Sequence, residues 1–182
     1  MRLSSTLAYV LAMVCSVALA GTVESGDSAR LRLLLAEIEA GGMQSQQYCG
    51  LVFVDRRFHY EKASRHHGQD ISRKIYEGEL SEAEWNELTG ILDSKELQAI
   101  SISRGVPPLV IQDSHPYTIS IARENRFQNM EFLDNHDRKP YESRLKPLFQ
   151  WWKAFRRSHM AESKAPPDAR CSTDNTHAVY NQ

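Results

Sequence analysis

The sequence has no surplus of charge of either sign, few cysteines and almost no long apolar runs, and each shortage excludes something. Its 182 residues carry 22 Lys and Arg against 23 Asp and Glu. That balance gives no electrostatic footprint for nucleic acid, whose binding is driven by a surplus of Lys and Arg facing phosphates. Three cysteines are too few for a disulfide-dense scaffold, and a domain of this length buries a real core without one. No G-x-S-x-G stands where a hydrolase nucleophile would need it, and the chain has no internal repeat and no low-complexity block. Beyond the first 20 residues no apolar run is long enough to cross a bilayer, which takes about 20 residues.

What is there begins with an export signal. Arg2 precedes an apolar stretch from Leu7 to Leu19, and the small-x-small pattern Ala18-Leu19-Ala20 stands before Gly21. This three-part signature predicts residues 1–20 to be a signal peptide cleaved after Ala20, and hence an exported protein, periplasmic or secreted. Cys15 lacks the small residues that would precede a lipidated cysteine. Removing this segment takes away Arg2 alone among the charged residues, leaving 21 basic and 23 acidic side chains. Cys49 and Cys171 remain, and an oxidising compartment makes a bridge between them the expectation.

Along residues 21–158, the expected single domain, apolar positions Leu31, Leu33, Leu34, Leu35 and Ile38 recur at helical spacing and Gly41-Gly42 supply a stop. Residues 29–40 therefore read as an amphipathic helix. Three strand-like runs follow at 48–54, 57–63 and 71–76, the first two joined tightly through Asp55-Arg56. Ser81 and Glu84 form a capping box ahead of Trp85, Leu88, Ile91 and Leu92, with a break expected at Asp93-Ser94 before Leu97 and Ile100. A turn-rich stretch with Gly105, Pro107 and Pro108 leads to a second hairpin at 117–122 and 127–132. A last helix should run from Pro140 to about Arg157, kinked or restarted at Pro147. Residues 159–182 read as a flexible polar tail. The expected fold is α+β, a meander-like antiparallel sheet of about five strands against three helices, in the order α-β-β-β-α-β-β-α.

Candidate chemistry is sparse. His59, His66 and His67 could bind zinc or copper(II) if their imidazoles converged, although His66 and His67 point to opposite faces of an extended chain. Asp113-Ser114-His115 can be drawn as a triad but has neither a strained nucleophile turn nor visible oxyanion donors, so no catalytic residue is assigned. Asp134-Asn135-His136-Asp137 resembles half a calcium loop without its Gly and bidentate Glu. Trp151 falls about 100° from Trp152 on a helix, which sets it at the flank of the core face, where it could anchor a partner. Lys153, Arg156 and Arg157 form a basic cluster at the helix end that suits the helix dipole and could also touch a membrane surface or a polyanion.

In the segments Tyr76-Glu77-Gly78-Glu79-Leu80 to Trp85 and Arg138-Lys139-Pro140-Tyr141 to Trp151-Trp152-Lys153, the chain resembles small exported bacterial proteins of unassigned function. The resemblance spans the middle and end of the domain. It implies export and a compact domain, and transfers no site residues.

The leading expectation is thus a non-enzymatic exported domain that contacts another macromolecule or an envelope component through a sheet face or the Trp151 flank. The alternatives are a metal-binding protein using the histidines and a hydrolase whose site is assembled from scattered residues. Native mass spectrometry of protein from an exporting host should show a species cleaved after Ala20 and two protons lighter than the reduced chain. An uncleaved mass would contradict the export signal.

Overall fold

A computed structural model describes residues 30–41, 44–66, 70–102, 115–158 and Cys171. The expected signal peptide, His67, the turn-rich stretch from 103, Asp113, Ser114 and all of the expected tail except Cys171 lie outside the described residues. The chain forms a six-stranded antiparallel sheet with helices on one face, an α+β architecture. Its strands are β1 (Leu31–Gly41), β2 (Gln44–Phe53), β3 (Arg57–His66), β4 (Ser72–Glu79), β5 (Tyr117–Ala122) and β6 (Phe127–Phe132), arranged β4-β3-β2-β1-β5-β6. The first four make a meander, and β5 then pairs with the free edge of β1. The helices are α1 (Glu82–Leu92), the single turns α2 (Lys95–Gln98) and α3 (Asn135–Arg138), and α4 (Glu142–Ser158).

The largest departure from expectation is in the helix read over residues 29–40, whose described part is not helical. Leu31–Gly41 is the strand between β2 and β5. Leu33 and Leu35 face the helices, whereas Leu34 faces the other side with Leu51, Cys49 and Cys171. A strand buried on both faces reads as a continuous apolar run, and its leucines then imitate a helical stripe. The order therefore starts with four strands, and the sheet has one strand more than expected.

Elsewhere local signals hold. Ser81 Oγ accepts from the Glu84 amide while the Glu84 carboxylate accepts from the Ser81 amide, and the break at Asp93-Ser94 separates α1 from α2. Both strands of the second hairpin lie where expected. At the β2–β3 turn Arg56 takes a left-handed φ of 71°, the conformation that closes a short hairpin loop. Helix α4 runs through Pro147 without a restart. Pro147 is exposed while Leu145 and Leu148 on either side are buried, so the backbone carbonyl that loses its partner can turn to water.

The core lies between the sheet and α1, α2 and α4, and includes Leu33, Leu35, Val52, Tyr60, Leu88, Leu92, Leu97, Ile119, Met130, Leu148, Trp152 and Phe155. Gln128 on β6 donates through Nε2 to the Leu97 and Ile100 carbonyls and so fastens the end of α2 to the sheet edge. No described helix is long and apolar enough to cross a membrane.

Two glycines test this packing. A Cβ at Gly50 on β2 would come within 2.6 Å of Trp152 Cζ3, whereas at Gly90 on α1 it would meet nothing within 4 Å. Trp152 is 2 % exposed and cannot step aside. Gly50→Ala should therefore cost about 1–3 kcal/mol by overpacking, and Gly90→Ala should stabilise by about 0.5–1 kcal/mol through helix propensity. Urea titration of the two variants checks both signs.

Candidate functional site: a basic pocket and a clamp on opposite faces of β3 and β4

Side chains alternate between the two faces of a strand, so β3 and β4 each present two different sets. On the helix-packed face the register sets Tyr60 opposite Tyr76, Lys62 opposite Lys74 and Ser64 opposite Ser72. These six, with Tyr48 from β2, line a pocket of about 480 Å³ beyond the last turns of α4, which contribute Lys153, Arg156 and Arg157. Five of these lining residues are cationic, three are tyrosines and two are serines; no acidic side chain is among the described ones. In a chain with a net charge of −1, this is a local concentration of one sign, and a concave site focuses such a field.

The Tyr60 and Tyr76 rings stack with centroids 5.4 Å apart, and Tyr60 meets Trp152 edge-on at 5.7 Å. Burial pushes the Tyr60 hydroxyl well above the ordinary tyrosine range, so the phenol stays protonated. The Arg156 guanidinium lies 4.1 Å from the Tyr48 ring centroid and Lys62 Nζ lies 5.7 Å from it. Arg156 Nη1 is buried, 3.0 Å from Glu37 Oε2 and 3.5 Å from Glu39 Oε1, in ion pairs without the alignment of a hydrogen bond. Burial and the Glu39 charge raise the Tyr48 phenol, whose single hydroxyl proton faces acceptor oxygens of both Gln46 and Glu39.

The opposite face carries a clamp. His59 is 1 % exposed, with Nδ1 2.9 Å from Glu77 Oε1 and Nε2 2.8 Å from Glu61 Oε1. Glu61 Oε1 also accepts from the Cys171 amide at 2.7 Å, and Arg73 Nη1 donates to its Oε2 at 3.2 Å. Cys171 is bonded to Cys49, which is the residue directly opposite Glu61 on β2, with Cα atoms 6.0 Å apart and 122 positions between them in sequence. The expected disulfide is thus present. Burial by itself pushes the Glu61 carboxyl up, but the hydrogen bonds from His59 and Cys171 and the nearby charges of His59 and Arg73 outweigh it and hold it below its ordinary value.

Of the histidines singled out for metal binding, His59 and His66 are not brought together, and His67 lies outside the described residues. His59 and His66 are seven positions apart on β3. An odd separation places them on opposite faces, roughly 23 Å apart along the strand. Both ring nitrogens of His59 already meet carboxylates. Ligand atoms of Asp134, His136 and Asp137 lie within 4.8 Å of one another, but Asp134 caps α3 by accepting from the Asp137 amide and Asp137 accepts from the Leu133 amide. Trp151 is 5 % exposed and stacks on Phe155 with centroids 5.1 Å apart, which places it in the core beside Trp152 and leaves little of its surface for a partner.

The sequence carried a signal for the pocket in its mirror pattern, Tyr60-x-Lys62-x-Ser64 followed by Ser72-x-Lys74-x-Tyr76. Folded back as a hairpin, such a pattern pairs like with like. Nothing local, by contrast, joined Glu61 to Cys171.

The clamp sets a pH dependence. Since the folded-state pKa of Glu61 is depressed, its stabilisation is present above the ordinary carboxyl value of 4.5 and is lost as pH falls through the folded value. The stability gap between the wild-type protein and Glu61→Gln, measured by urea titration, should therefore narrow as pH drops below about 4.5; a gap constant with pH would contradict the clamp. Cys171→Ser should cost up to about 5 kcal/mol on the chain-entropy model.

No protein-family model matches this chain, and neither does any curated protein.

Proposed function

We propose that this protein is an exported, non-enzymatic binding domain that takes an anionic ligand of the envelope or the surrounding medium in the pocket between α4 and β2–β4. The observation that carries this reading is the convergence of Lys62, Lys74, Lys153, Arg156 and Arg157 on one concavity with no described acidic lining residue. A concave cluster of one sign focuses its field and raises the local concentration of the opposite charge. The helix dipole accounts for cations at the end of α4, but not for two lysines facing the same space from the sheet. The described lining also holds no carboxylate or imidazole to serve as a general base beside Ser64 or Ser72, which supports binding rather than turnover. Its volume falls within the range of small-ligand sites.

The oxidised mature chain should bind inositol hexakisphosphate with one-to-one stoichiometry in calorimetry, more weakly as salt rises because surface charge is screened. Lys62→Glu combined with Lys153→Glu should reduce the affinity by about a hundredfold or more, taking each charge-assisted contact as about tenfold. If inositol hexakisphosphate, inorganic phosphate and sulfate all fail to bind, the proposal is wrong.

A further inference from the structure

Strand β4 is an edge of the sheet: it pairs with β3 and with no other described strand. Ser72 to Lys74 and Glu77 to Glu79 are exposed along it, with Ile75 and Tyr76 buried between them. One bond tells which backbone groups face outward. The Leu80 amide donates to the Arg56 carbonyl at 2.9 Å, and these two residues are the next step of the β3–β4 register after Glu79 and Arg57. Bonded and unbonded pairs alternate along an antiparallel ladder, so the even-numbered residues of β4 turn their N–H and C=O groups to β3. Arg73, Ile75, Glu77 and Glu79 turn theirs to the open edge, where they form a template for another strand.

The side chains of these four lie on the clamp face, and along the strand they run from basic through apolar to acidic. Edge charges ordinarily keep copies of a chain apart. In a parallel pairing they would do so here, since Arg73 would meet the partner's Arg73 and Glu77 the partner's Glu77. Turned antiparallel about a two-fold axis at Ile75, the strand is its own complement. Arg73 then stands opposite the partner's Glu77, Glu77 opposite the partner's Arg73, and Ile75 opposite the partner's Ile75. Opposite charges facing each other across strands stabilise the pairing. Moving the partner by two residues in either direction sets Ile75 against an arginine or a glutamate, so one register matches all three positions. Arg73 gives Nη1 to Glu61 and Glu77 gives Oε1 to His59, yet their side chains remain 31 % and 42 % exposed. No described residue takes Arg73 Nη2 or Glu77 Oε2.

We infer that β4 is a self-association edge: a second copy of this chain adds its own β4 antiparallel to the first, continuing the sheet across a two-fold axis at Ile75. The contact is isologous and closes on itself, so it gives a dimer and not a filament. Because the axis is perpendicular to the sheet, the joined sheet carries both clamps on one face and both pockets on the other. A strand of 8 residues makes a contact at the small end of specific interfaces, so the dimer forms reversibly at about 0.1 mM protein.

Sedimentation equilibrium of the oxidised mature chain should show a monomer at about 1 µM and a dimer at about 0.1 mM. Hydrogen exchange followed by NMR should show the Arg73, Ile75 and Glu77 amides protected at the higher concentration and exchanging freely at the lower one. Arg73→Glu and Glu77→Arg, each alone, set like charges opposite each other twice and should weaken the dimer about tenfold or more. An equimolar mixture of the two variants should restore it, because the acids of one then face the arginines of the other at both positions. Since both residues belong to the clamp, thermal melting shows whether each variant folds; if either does not, amide protection in the wild-type chain decides. A wild-type chain that stays monomeric at about 0.1 mM would overturn the inference. So would a dimer whose β4 amides exchange freely, which places the contact elsewhere, or a mixture of folded variants that associates no more tightly than its components.

Discussion

The geometry of the pocket depends on one buried carboxylate. Glu37 lies on the central strand β1 at 5 % exposure, where an unpartnered charge would cost several kcal/mol. It is not unpartnered. Tyr117 on β5 donates its hydroxyl to Oε1 at 2.7 Å, Trp152 on α4 donates Nε1 to Oε2 at 3.0 Å, and the Arg156 guanidinium stands beside the same oxygen. Burial and the bond to Glu37 push the Tyr117 phenol up to about 12, so it remains a donor under ordinary conditions. One side chain thereby joins two strands to the helix and fixes where along the sheet α4 must lie. Lys153 directly follows Trp152 and Arg157 directly follows Arg156 on α4, so the same bonds set the height at which their charges overhang β3 and β4.

A carboxylate can hold that position only because β1 is a central strand, and this is also where sequence reading failed. Periodicity registers that a residue is apolar, not which face buries it. On β3, with Phe58 and Tyr60 alternating with His59 and Glu61, the alternation was legible. So was the capping box, because it is a contact within four residues. On β1 the leucines serve two cores at once, Leu33 and Leu35 beneath the helices and Leu34 beside the disulfide, and the period of two disappears. Favourable helix propensity of Leu, Ala and Glu then points the wrong way, and tertiary pairing with β2 and β5 overrides it.

Site residues were legible to the extent that their partners were close in sequence. The histidines attracted notice as a composition, but His59 is a polar residue on a buried face, satisfied by carboxylates on its own and the next strand. Trp151 was separated from Trp152 by helical geometry alone, which does not know how wide the apolar face is; with Phe155 and Trp152 both beneath α4, the face is broad enough to take both indoles. The cations of α4 were visible, whereas their counterparts Lys62 and Lys74 become one feature only once the hairpin register is known.

Pocket and clamp are two consequences of the same two strands. Even-numbered residues of β3 from Tyr60 to Ser64 face the pocket, while His59 and Glu61, on the alternate positions, face the clamp side. A slip of one residue in the β3–β4 pairing would turn Lys74 and Tyr76 away from the pocket and bring Arg73, Ile75 and Glu77 onto its face, taking Glu77 from His59. Cross-strand identity gives no protection against such a slip, since Tyr, Lys and Ser pair tolerably with many neighbours. The clamp does, because Cys49 is covalently tied to Cys171 and the Cys171 amide meets the carboxylate directly opposite Cys49. Only one register of β2 against β3 satisfies the bond and the hydrogen bond together, and His59 carries the constraint to β4 through Glu77. The covalent link on one face thus determines which charges stand on the other.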